Sequence, residues 1–463
     1  MRSVRITNIA IDNFKNVGHG EICLENKRKD FRASILGLYG QNGSGKTALV
    51  DAIALLKHVL CGNVIPVKYA DFVNEDATNS RFLFEFKIVS DGITYRAWYE
   101  FSLGKVYDDT LVNMDNDSAK GQIKAEIYDE VMSYSYVSKE ETARKSALID
   151  TRPNGAFLPK NKYLELTGDM DETDVIVSKR VIRSGSRSFI FSREMINLFR
   201  QKCKNTQYLF LIESLLLFGN RELFVINTEN AGLISLNALP ISFKYKEERS
   251  EAVGNLMLTL NAPATIPLDA HHLVLKLIEN MNIVLDRIIP GLTIGVMNLG
   301  DIVSQEGKPG KIIQLMSLRN GKEIPFQYES EGIKKIVSIL QLLIVVYNNS
   351  SITVAVDELD AGIFEYLLGE ILQIISEKGK GQLVFTSHNL RPLETIDKGF
   401  IAFTTTNTKR RYFRMTNVKG NNNLRDFYYR DIVLGGQSEQ LYETTNNYEI
   451  ALAFKEAGDA LGM

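Results

Sequence analysis

The chain has 463 residues, of which 44% are apolar and 24% are charged, with 54 basic side chains against 56 acidic ones. This composition allows a large buried core and excludes a disordered or fibrous chain, while the balanced charge argues against a histone-like nucleic-acid binder. The length favours two or three domains over a single one.

The first hundred residues predict three strands, one helix and a hairpin. In the hairpin, Phe82, Phe84 and Phe86 share one face, and Gly92 lies in the turn. These elements are predicted over residues 3–12, 20–24, 33–39, 47–60 and 81–101. We interpret residues 1–105 as the N-terminal half of a layered α/β head.

Residues 106–310 give weaker signals, with polar loops, short strands and a few helices. The best helical patterns cover 193–217 and 267–288. No heptad run of four or more repeats occurs, which excludes long coiled-coil arms. We therefore expect a mixed, largely helical insertion between the two halves of one head.

Helices and apolar strands alternate again from residue 311, and this alternation predicts a layered α/β core. The predicted elements are a hairpin at 312–318 and 322–327, helices at 332–347, 362–377 and 390–396, and strands at 352–356, 382–386, 400–405 and 410–417. We interpret residues 311–418 as the C-terminal half of the head. Residues 419–463, which are rich in aromatic and arginine residues, form either an interaction tail or a segment packed on the head.

The first motif that carries chemistry is a glycine-rich loop between a predicted strand and a predicted helix. It fits the G-x-x-x-x-G-K-[ST] phosphate loop, in which backbone amides and the helix N-terminus hold phosphates. Lys46 would bridge the β- and γ-phosphates, and the Thr47 hydroxyl would bind Mg²⁺. An ordinary glycine turn is the weaker alternative. The predicted nucleotide-binding residues here are Gly40, Gly43, Ser44, Gly45, Lys46 and Thr47.

Two further motifs follow buried strands. The β-branched strand 352–356 ends at Asp357, which is suited to hold Mg²⁺, and Glu358, which is suited to polarise an attacking water. The strand 382–386 ends near His388, one of only five histidines, which we interpret as a sensor of the γ-phosphate. The alternatives are a solvated strand end for the acids and a structural role for the histidine.

A fourth motif, Ser330-x-Gly332, starts the predicted helix 332–347. Taken alone it is only a helix N-cap. However, Ser330 precedes Asp357 by 27 residues, and His388 follows Asp357 by 31. This order and spacing match the ABC-type ATPases, in which the Ser-x-Gly signature of one subunit closes over the nucleotide held by another.

These motifs together resemble the ABC-like AAA ATPases of the RecF and SMC class, which are grouped with the overcoming-lysogenization-defect proteins. In size and layout the chain is most similar to stand-alone ATPase subunits of bacterial anti-phage and abortive-infection systems, such as those of the PARIS, Septu or AbiL type. The segments that carry it are the opening strand Ile9–Asn16, the phosphate loop, Ser330-x-Gly332, Asp357-Glu358, Leu359–Gly362 and His388.

The resemblance implies a P-loop NTPase fold with an ABC-type head, made of a mixed sheet and an antiparallel β subdomain. It implies ATP and Mg²⁺ as cofactors, a phosphate contact for Asn42, a place for Lys15 near the adenosine or α-phosphate, and a nucleotide contact for Asp360. It also implies that the protein partners itself, as a dimer or higher homo-oligomer with composite ATP sites. No glutamine fits the Q-loop position after the first hairpin, and residues 361–364 depart from the usual D-loop pattern.

The favoured function is an ATP-driven switch that responds to a phage protein trigger and controls a separate effector nuclease encoded nearby. A C-terminal Toprim nuclease would not fit in the 75 residues after His388. One alternative is a RecF-like DNA-repair ATPase that clamps duplex DNA, and another is an ATP-stabilised scaffold with negligible turnover. Basic clusters at 179–193 and 409–414 keep nucleic acid as a candidate partner, although a solvated face explains each of them more simply.

The cysteines and the hydropathy indicate the compartment. Cys23, Cys61 and Cys203 lie too far apart to predict a disulfide framework or a zinc site. The longest apolar stretch, Ile336–Tyr347, is interrupted by polar residues and is too short to span a bilayer. We therefore expect a cytoplasmic protein with no membrane partner.

Overall fold

The computed structural model describes most of the chain. The described residues are 2–26, 32–108, 122–168, 170–227, 238–247, 250–303, 307, 309–415, 423–434, 438–443 and 445–460. The strands are β1 Ser3–Phe14, β2 Val17–Cys23, β3 Ser34–Tyr39, β4 Asn79–Ser90, β5 Ile93–Asp108, β6 Gln122–Val137, β7 Thr142–Asp150, β8 Leu223–Ile226, β9 Ala238–Glu247, β10 Ser250–Thr259, β11 Ala264–Pro267, β12 Leu292–Val303, β13 Pro309–Arg319, β14 Lys322–Pro325, β15 Thr353–Val356, β16 Gln382–Thr386, β17 Ile401–Thr404 and β18 Tyr412–Phe413. The helices are α1 Lys46–Leu60, α2 Lys160–Thr167, α3 Glu172–Ser184, α4 Arg193–Lys202, α5 Thr206–Arg221, α6 Leu268–Ile288, α7 Glu331–Asn348, α8 Glu365–Lys378, α9 Pro392–Thr395, α10 Leu424–Leu434 and α11 Asn447–Ala460.

The N-terminal antiparallel sheet has the strand order β2-β1-β4-β5-β6-β7. The alternation that predicts the hairpin also sets its register, since Phe82 pairs with Phe101 and Phe84 with Tyr99. The rings of Phe82 and Phe101 stack with their centroids 5.0 Å apart. Because these four side chains are buried, a register slip of one residue would turn the whole face to solvent.

The central sheet has the order β18-β17-β3-β16-β15-β8, and only β18 joins it antiparallel. Its strands are short apolar runs because both faces are covered. Leu36 and Val384 pack with α1 and the antiparallel sheet, whereas Ile35 and Val354 belong to a second core with α6, α7 and α8. The predicted α/β class, with a mixed sheet and an antiparallel β subdomain, is confirmed.

The middle of the chain is less helical than the sequence predicts. Strands β6 and β7 extend the antiparallel sheet, β8 joins the central sheet, and β9 to β13 form two smaller sheets. The helix predicted over 193–217 is two helices, because the Asn205 side chain accepts the Gln207 amide at 3.0 Å and starts α5 there. The bounds of the four domains stay predictions.

The basic cluster at 179–193 contributes to this packing. The Lys179 ammonium donates to the carbonyls of Pro153 at 2.9 Å and Gly155 at 3.1 Å, and so it ties α3 to the segment after β7. Arg183 pairs with Glu126 of β6 at 2.7 Å. Within the described part of the chain, no helix is both long and apolar enough to cross a bilayer.

A fully buried carboxyl group, that of Glu130, joins the antiparallel sheet to the segment before α4. It accepts hydrogen bonds from the hydroxyls of Tyr99 at 2.7 Å and Ser188 at 2.6 Å, and from the Phe189 amide at 2.5 Å. Burial raises the pKa of the Glu130 carboxyl, and these hydrogen bonds oppose the rise. The carboxyl also accepts the Ile190 amide at 3.4 Å, and it therefore satisfies four buried donors.

We expect Glu130→Ala to lower the free energy of unfolding by about 3 kcal/mol or more, because it leaves several buried donors without an acceptor. Glu126→Ala on the same strand is the matched control, since it removes only a partly exposed ion pair worth about 0–1 kcal/mol. Urea denaturation measures both variants. Equal midpoints for the two would contradict the role given to Glu130.

Candidate nucleotide site

Four parallel strands of the central sheet end at one edge, and a polar residue or a glycine loop follows each of them. The glycine loop follows β3 at Gly40, Asp357 follows β15, His388 lies just after β16, and Asn227 follows β8. In open parallel sheets, ligands bind at this edge, beyond the carboxyl ends of the strands. The edge is therefore the place to look for the site.

The glycine loop has a backbone that only glycine adopts easily. Gly40 has a φ of 154°, and a Cβ there would lie 1.8 Å from the Thr404 hydroxyl oxygen. Gly45 is left-handed, with a φ of 92°, and as the N-cap of α1 it supplies no capping side chain. The amides of the first turn of α1 are thus left without a side-chain cap, which is the arrangement that binds anions.

A cavity of about 300 Å³ opens at this edge. Its walls come from the β1–β2 turn, the glycine loop, and the ends of β15 and β16. The predicted site residues that line it are Lys15, Asn42, Gly43, Gly45, Lys46, Thr47, Glu358 and His388. The other predicted site residues lie outside the lining, and they are Gly40, Ser44, Ser330, Gly332, Asp357 and Asp360.

Lys46 is the cation at the centre of this cavity. Its ammonium donates to the carbonyls of Gly40 at 2.8 Å and Gln41 at 3.0 Å. Burial lowers the pKa of Lys46, and the nearby carboxylates of Asp357 and Glu358 oppose that shift. A phosphate is a stronger acceptor for this ammonium than two loop carbonyls are.

The two acids after β15 are fixed by one threonine. Asp357 is completely buried, and Glu358 has a left-handed backbone with a φ of 50°. The Thr386 hydroxyl donates to Asp357 Oδ1 at 2.5 Å and accepts the Glu358 amide at 2.8 Å. A left-handed backbone costs a residue with a Cβ roughly 1–2 kcal/mol, and this hydrogen bond helps to hold Glu358 in it.

His388 lies exposed at the rim of the cavity. Its amide and the amide of Asn389 donate to Asp360 Oδ2 at 3.0 Å and 2.9 Å. Asp360 thus holds the loop that carries His388. Its other oxygen, Oδ1, is buried and has no hydrogen-bond partner among the residues the structure describes.

The signature residues lie away from the cavity of their own chain. Ser330 is the N-cap of α7, where its hydroxyl oxygen accepts the Ile333 amide at 3.4 Å. Gly332 packs on the D-loop, and a Cβ there would lie 2.4 Å from the Gly362 carbonyl oxygen. Glycine is therefore needed for this close approach. Ser330 is exposed, and its contact with a second chain stays a prediction.

Lys15 reaches the site as part of a small polar group. Its ammonium forms an ion pair with Asp51 of α1 and lies 3.9 Å from the centre of the Phe72 ring. The Asn227 side chain donates to the other Asp51 oxygen at 3.2 Å. Sequence reasoning misses Asn227, because the four-residue strand before it is recognisable only once β8 is seen to pair with β15.

Sequence reasoning also misses Lys335, one turn beyond Gly332. This lysine is 3% exposed. Burial lowers its pKa, and the carboxylates of Asp360 and Glu358 oppose that shift. Lys335 is therefore a buried cation beside the acids of the site. The available signal is a charged residue inside the apolar pattern of a predicted helix.

Residues of the basic cluster at 409–414 form hydrogen bonds to the glycine loop and to the neighbouring β1–β2 turn. Arg411 donates to the Thr405 carbonyl at 2.7 Å and also to the Asn16 carbonyl. The Tyr412 hydroxyl donates to the Gly45 carbonyl at 2.9 Å. Strand β18 is much shorter than the predicted strand 410–417, whose last two residues lie outside the described part of the chain.

The residues near the cavity fit a magnesium ion. Thr47 and Asp357 offer hydroxyl and carboxylate oxygens, which are the hard donors that Mg²⁺ prefers. In the described residues, no three or more His, Cys, Asp or Glu side chains are grouped to hold a metal. Mg²⁺ commonly needs only one or two carboxylates when phosphate oxygens and waters complete its shell.

A known protein family matches part of the chain. Residues 35–170, which run from β3 past α2, match the family described as "AAA domain, putative AbiEii toxin, Type IV TA system". This segment of the chain is therefore similar to an AAA domain. The match takes in the glycine loop and four of the six strands of the antiparallel sheet. No curated protein sequence matches the chain.

Three solved structures are similar to this chain at 12% sequence identity. A Smc head bound to the C-winged helix domain of ScpA has a TM-score of 0.41, over 89% of this chain and 98% of that one. A Smc head with an extended coiled coil, bound to the C-terminal domain of ScpA derived from Pyrococcus furiosus, scores 0.38 over 89% and 96%. The recombination mediator protein RecF, as "RecF-ATPrS", scores 0.36 over 89% and 99%.

Thr386→Val keeps the size of the side chain but removes both hydrogen bonds to the acids. We expect ATP affinity to stay near the wild-type value and ATP turnover to fall about 10-fold or more, because Glu358 loses its fixed position. Thr386→Ser, which restores the hydroxyl, is the matched control. Phosphate release and an ATP-binding titration give the two readouts. The same turnover in both variants would show that the hydroxyl does not position the acids.

Proposed function

We propose that this protein is an ATP-binding and hydrolysing switch of a bacterial anti-phage defence system. It responds to a phage trigger and controls a separate effector nuclease. The observation that carries the ATPase part is the single cavity in which Lys46, Glu358 and His388 meet. The defence part is supported by the family match, whose description names a toxin and a type IV toxin–antitoxin system.

The chemistry follows from the positions of the side chains. Lys46 and the uncapped first turn of α1 bind the β- and γ-phosphates of ATP. Glu358 orients and polarises the attacking water, and His388 reaches the γ-phosphate from the rim. Thr47 and Asp357 would hold Mg²⁺, which neutralises charge on the phosphates when it is bound.

The proposal includes self-association, as a dimer or higher homo-oligomer. Ser330 is exposed at the N-terminus of α7, far enough from its own cavity that it is not part of the lining. A helix N-terminus attracts anions. We propose that this end of α7 binds the γ-phosphate held by a second chain, so that each ATP site is composite.

The two alternative functions gain less support. A clamp on duplex DNA needs free basic side chains. Lys179, Arg183 and Arg411 are engaged within the chain. This leaves only the exposed members of the two clusters, such as Arg180, Arg193 and Lys409, for such contacts. A scaffold with negligible turnover does not need the strained Glu358 or its hydrogen bond to Thr386. We therefore retain the ATP-driven switch as the conclusion.

Glu358→Gln separates ATP binding from hydrolysis. The variant keeps Asp357 and the side-chain shape but removes the base, so we expect ATP to stay bound while turnover falls about 100-fold or more. Lys46→Ala is the companion variant and should lose ATP binding itself, because it removes the buried cation of the loop. Nucleotide binding and phosphate release are measured for both. Wild-type turnover in Glu358→Gln would assign the water to another residue.

Ser330→Arg tests the composite site. We expect each variant chain to bind ATP nearly as well as the wild type, and hydrolysis to be lost because the bulky cation blocks closure. Mixing Ser330→Arg with Lys46→Ala chains is the sharper experiment, since a mixed dimer has one site with both changes and one with neither. Activity that returns on mixing supports the composite site. Full activity of Ser330→Arg alone contradicts it and leaves Ser330 as a helix cap.

A further inference from the structure

The acids of the candidate site are close to two buried lysines that come from different helices. Lys46 of α1 is 7% exposed, and Lys335 of α7 is 3% exposed. For both lysines, burial lowers the pKa, and the same three carboxylates oppose that shift, namely those of Asp357, Glu358 and Asp360. One acidic cluster therefore has two lysines beside it, and the reaction proposed above uses only Lys46.

Lys335 lacks an acceptor for its ammonium. Among the residues the structure describes, it forms no hydrogen bond or ion pair, whereas its neighbour Lys334 pairs with Glu331 at 3.7 Å. A buried cation without an acceptor is unfavourable. The flexible four-carbon stem of a lysine lets its ammonium move to a nearby acceptor. The surroundings of Lys335 must therefore be searched for one.

Asp360 has a buried oxygen that lacks a donor. Its Oδ2 accepts the amides of His388 and Asn389, while no described residue donates to its buried Oδ1. A buried acceptor without a donor is unfavourable. Of the three carboxylates, Asp360 opposes the lowered pKa of Lys335 most strongly, whereas Asp357 does so for Lys46. The missing donor of Asp360 and the missing acceptor of Lys335 match in chemistry.

The packing of α7 brings Lys335 to the D-loop. Gly332 approaches this loop so closely that a Cβ on it would lie 2.4 Å from the Gly362 carbonyl oxygen. Lys335 follows Gly332 by one helical turn, so the two residues share a face of α7. Asp360 belongs to the same turn as Gly362, because its carbonyl accepts the Ile363 amide at 3.0 Å. The contact between the two glycines therefore places Lys335 and Asp360 near each other.

We propose, on the basis of the ATPase function proposed above, that Lys335 is a positioning residue that pairs with Asp360 Oδ1. When ATP binds, Lys46 donates to its phosphates instead of to loop carbonyls, and Lys335 is then the lysine that compensates Asp360. The pair keeps Oδ2 aimed at the amide of His388, and so it holds this histidine at the rim of the cavity. Lys335 is not part of the cavity lining and touches no phosphate.

Tyr39 is the other buried donor near Asp360. It is 1% exposed. Burial raises the pKa of its hydroxyl, the Ser387 side chain opposes the rise, and the Asp360 carboxylate adds to it. Ser387 thus offers this hydroxyl another acceptor, and a neutral hydroxyl is a weaker donor to a carboxylate than an ammonium is. We therefore assign Asp360 Oδ1 to Lys335 and use Tyr39→Phe as a control.

Lys335→Met removes the charge and keeps an unbranched side chain. We expect ATP turnover at saturation to fall about 10-fold, because the loop of His388 loses its fixed position. ATP affinity should stay within about 2-fold of the wild-type value, since Lys335 does not contact the nucleotide; retained affinity also shows that the variant folds. Lys335→Arg keeps the cation and should recover most of the turnover. Lys57→Met is the matched control, because the Lys57 ammonium donates to the Leu223 carbonyl near the other end of α1.

Hydrogen exchange of the His388 and Asn389 amides measures the loop itself and needs no ATPase activity. With a non-hydrolysable ATP analogue and Mg²⁺ bound, we expect these two amides to exchange at least about 10-fold faster in Lys335→Met than in the wild type, because their acceptor is no longer fixed. Tyr39→Phe and Lys57→Met should exchange as the wild type does.

A double-mutant cycle tests whether the two residues act as a pair. If they do, Lys335→Met combined with Asp360→Asn loses no more turnover than the more damaging single change. Losses that multiply would show that Lys335 and Asp360 act independently, and they would overturn the proposal.

The outcomes distinguish this inference from the proposed function. Wild-type turnover in Lys335→Met, or unchanged exchange of the two amides, overturns the role of Lys335 and leaves the ATPase standing. Slowed turnover in Tyr39→Phe with none in Lys335→Met assigns Asp360 to Tyr39 and also overturns it. If the wild-type chain releases no phosphate from ATP, the proposed function is wrong, while the exchange measurement still decides whether Lys335 holds the loop.

Discussion

The hydrogen bond between the Thr386 hydroxyl and Asp357 is the interaction on which the arrangement of the site depends. It joins two neighbouring parallel strands at their carboxyl ends, and the same oxygen accepts the Glu358 amide. Since Asp360 then holds the amide of His388, the acids and the histidine form one connected unit. The bond between Thr386 and Asp357 is buried, whereas the one between the His388 amide and Asp360 lies at the exposed rim.

The glycine loop is held in place by other segments of the chain. Arg411 and Tyr412 come from near the end of the chain, yet they donate to carbonyls of the β1–β2 turn and of the loop itself. The Glu443 amide then adds a hydrogen bond to the Gln41 side chain. The loop therefore rests on segments from both ends of the chain. Within the basic cluster at 409–414, Arg411 and Tyr412 are buried against this loop, whereas Lys409 and Arg410 are exposed.

Most of the site was predictable because its residues follow strands with strong patterns. The loop around Lys46, the acids at Asp357 and Glu358, and His388 all lie next to strands whose apolar runs are unmistakable. Asn227 was not predictable, since β8 has four residues and gains its identity only by pairing with β15. Glu130 was not predictable either, because its partners, Tyr99 and the segment 188–190, are distant in the sequence and no local pattern marks them.

The left-handed backbone of Glu358 sets activity against stability. A glycine at this position would relieve the strain of roughly 1–2 kcal/mol and would lengthen the life of the folded state, but it would also delete the proposed base. Selection for a sturdier protein alone would therefore favour the loss of this side chain. The strained backbone of Glu358 in the lining of this cavity therefore supports the hypothesis that its side chain has a functional role.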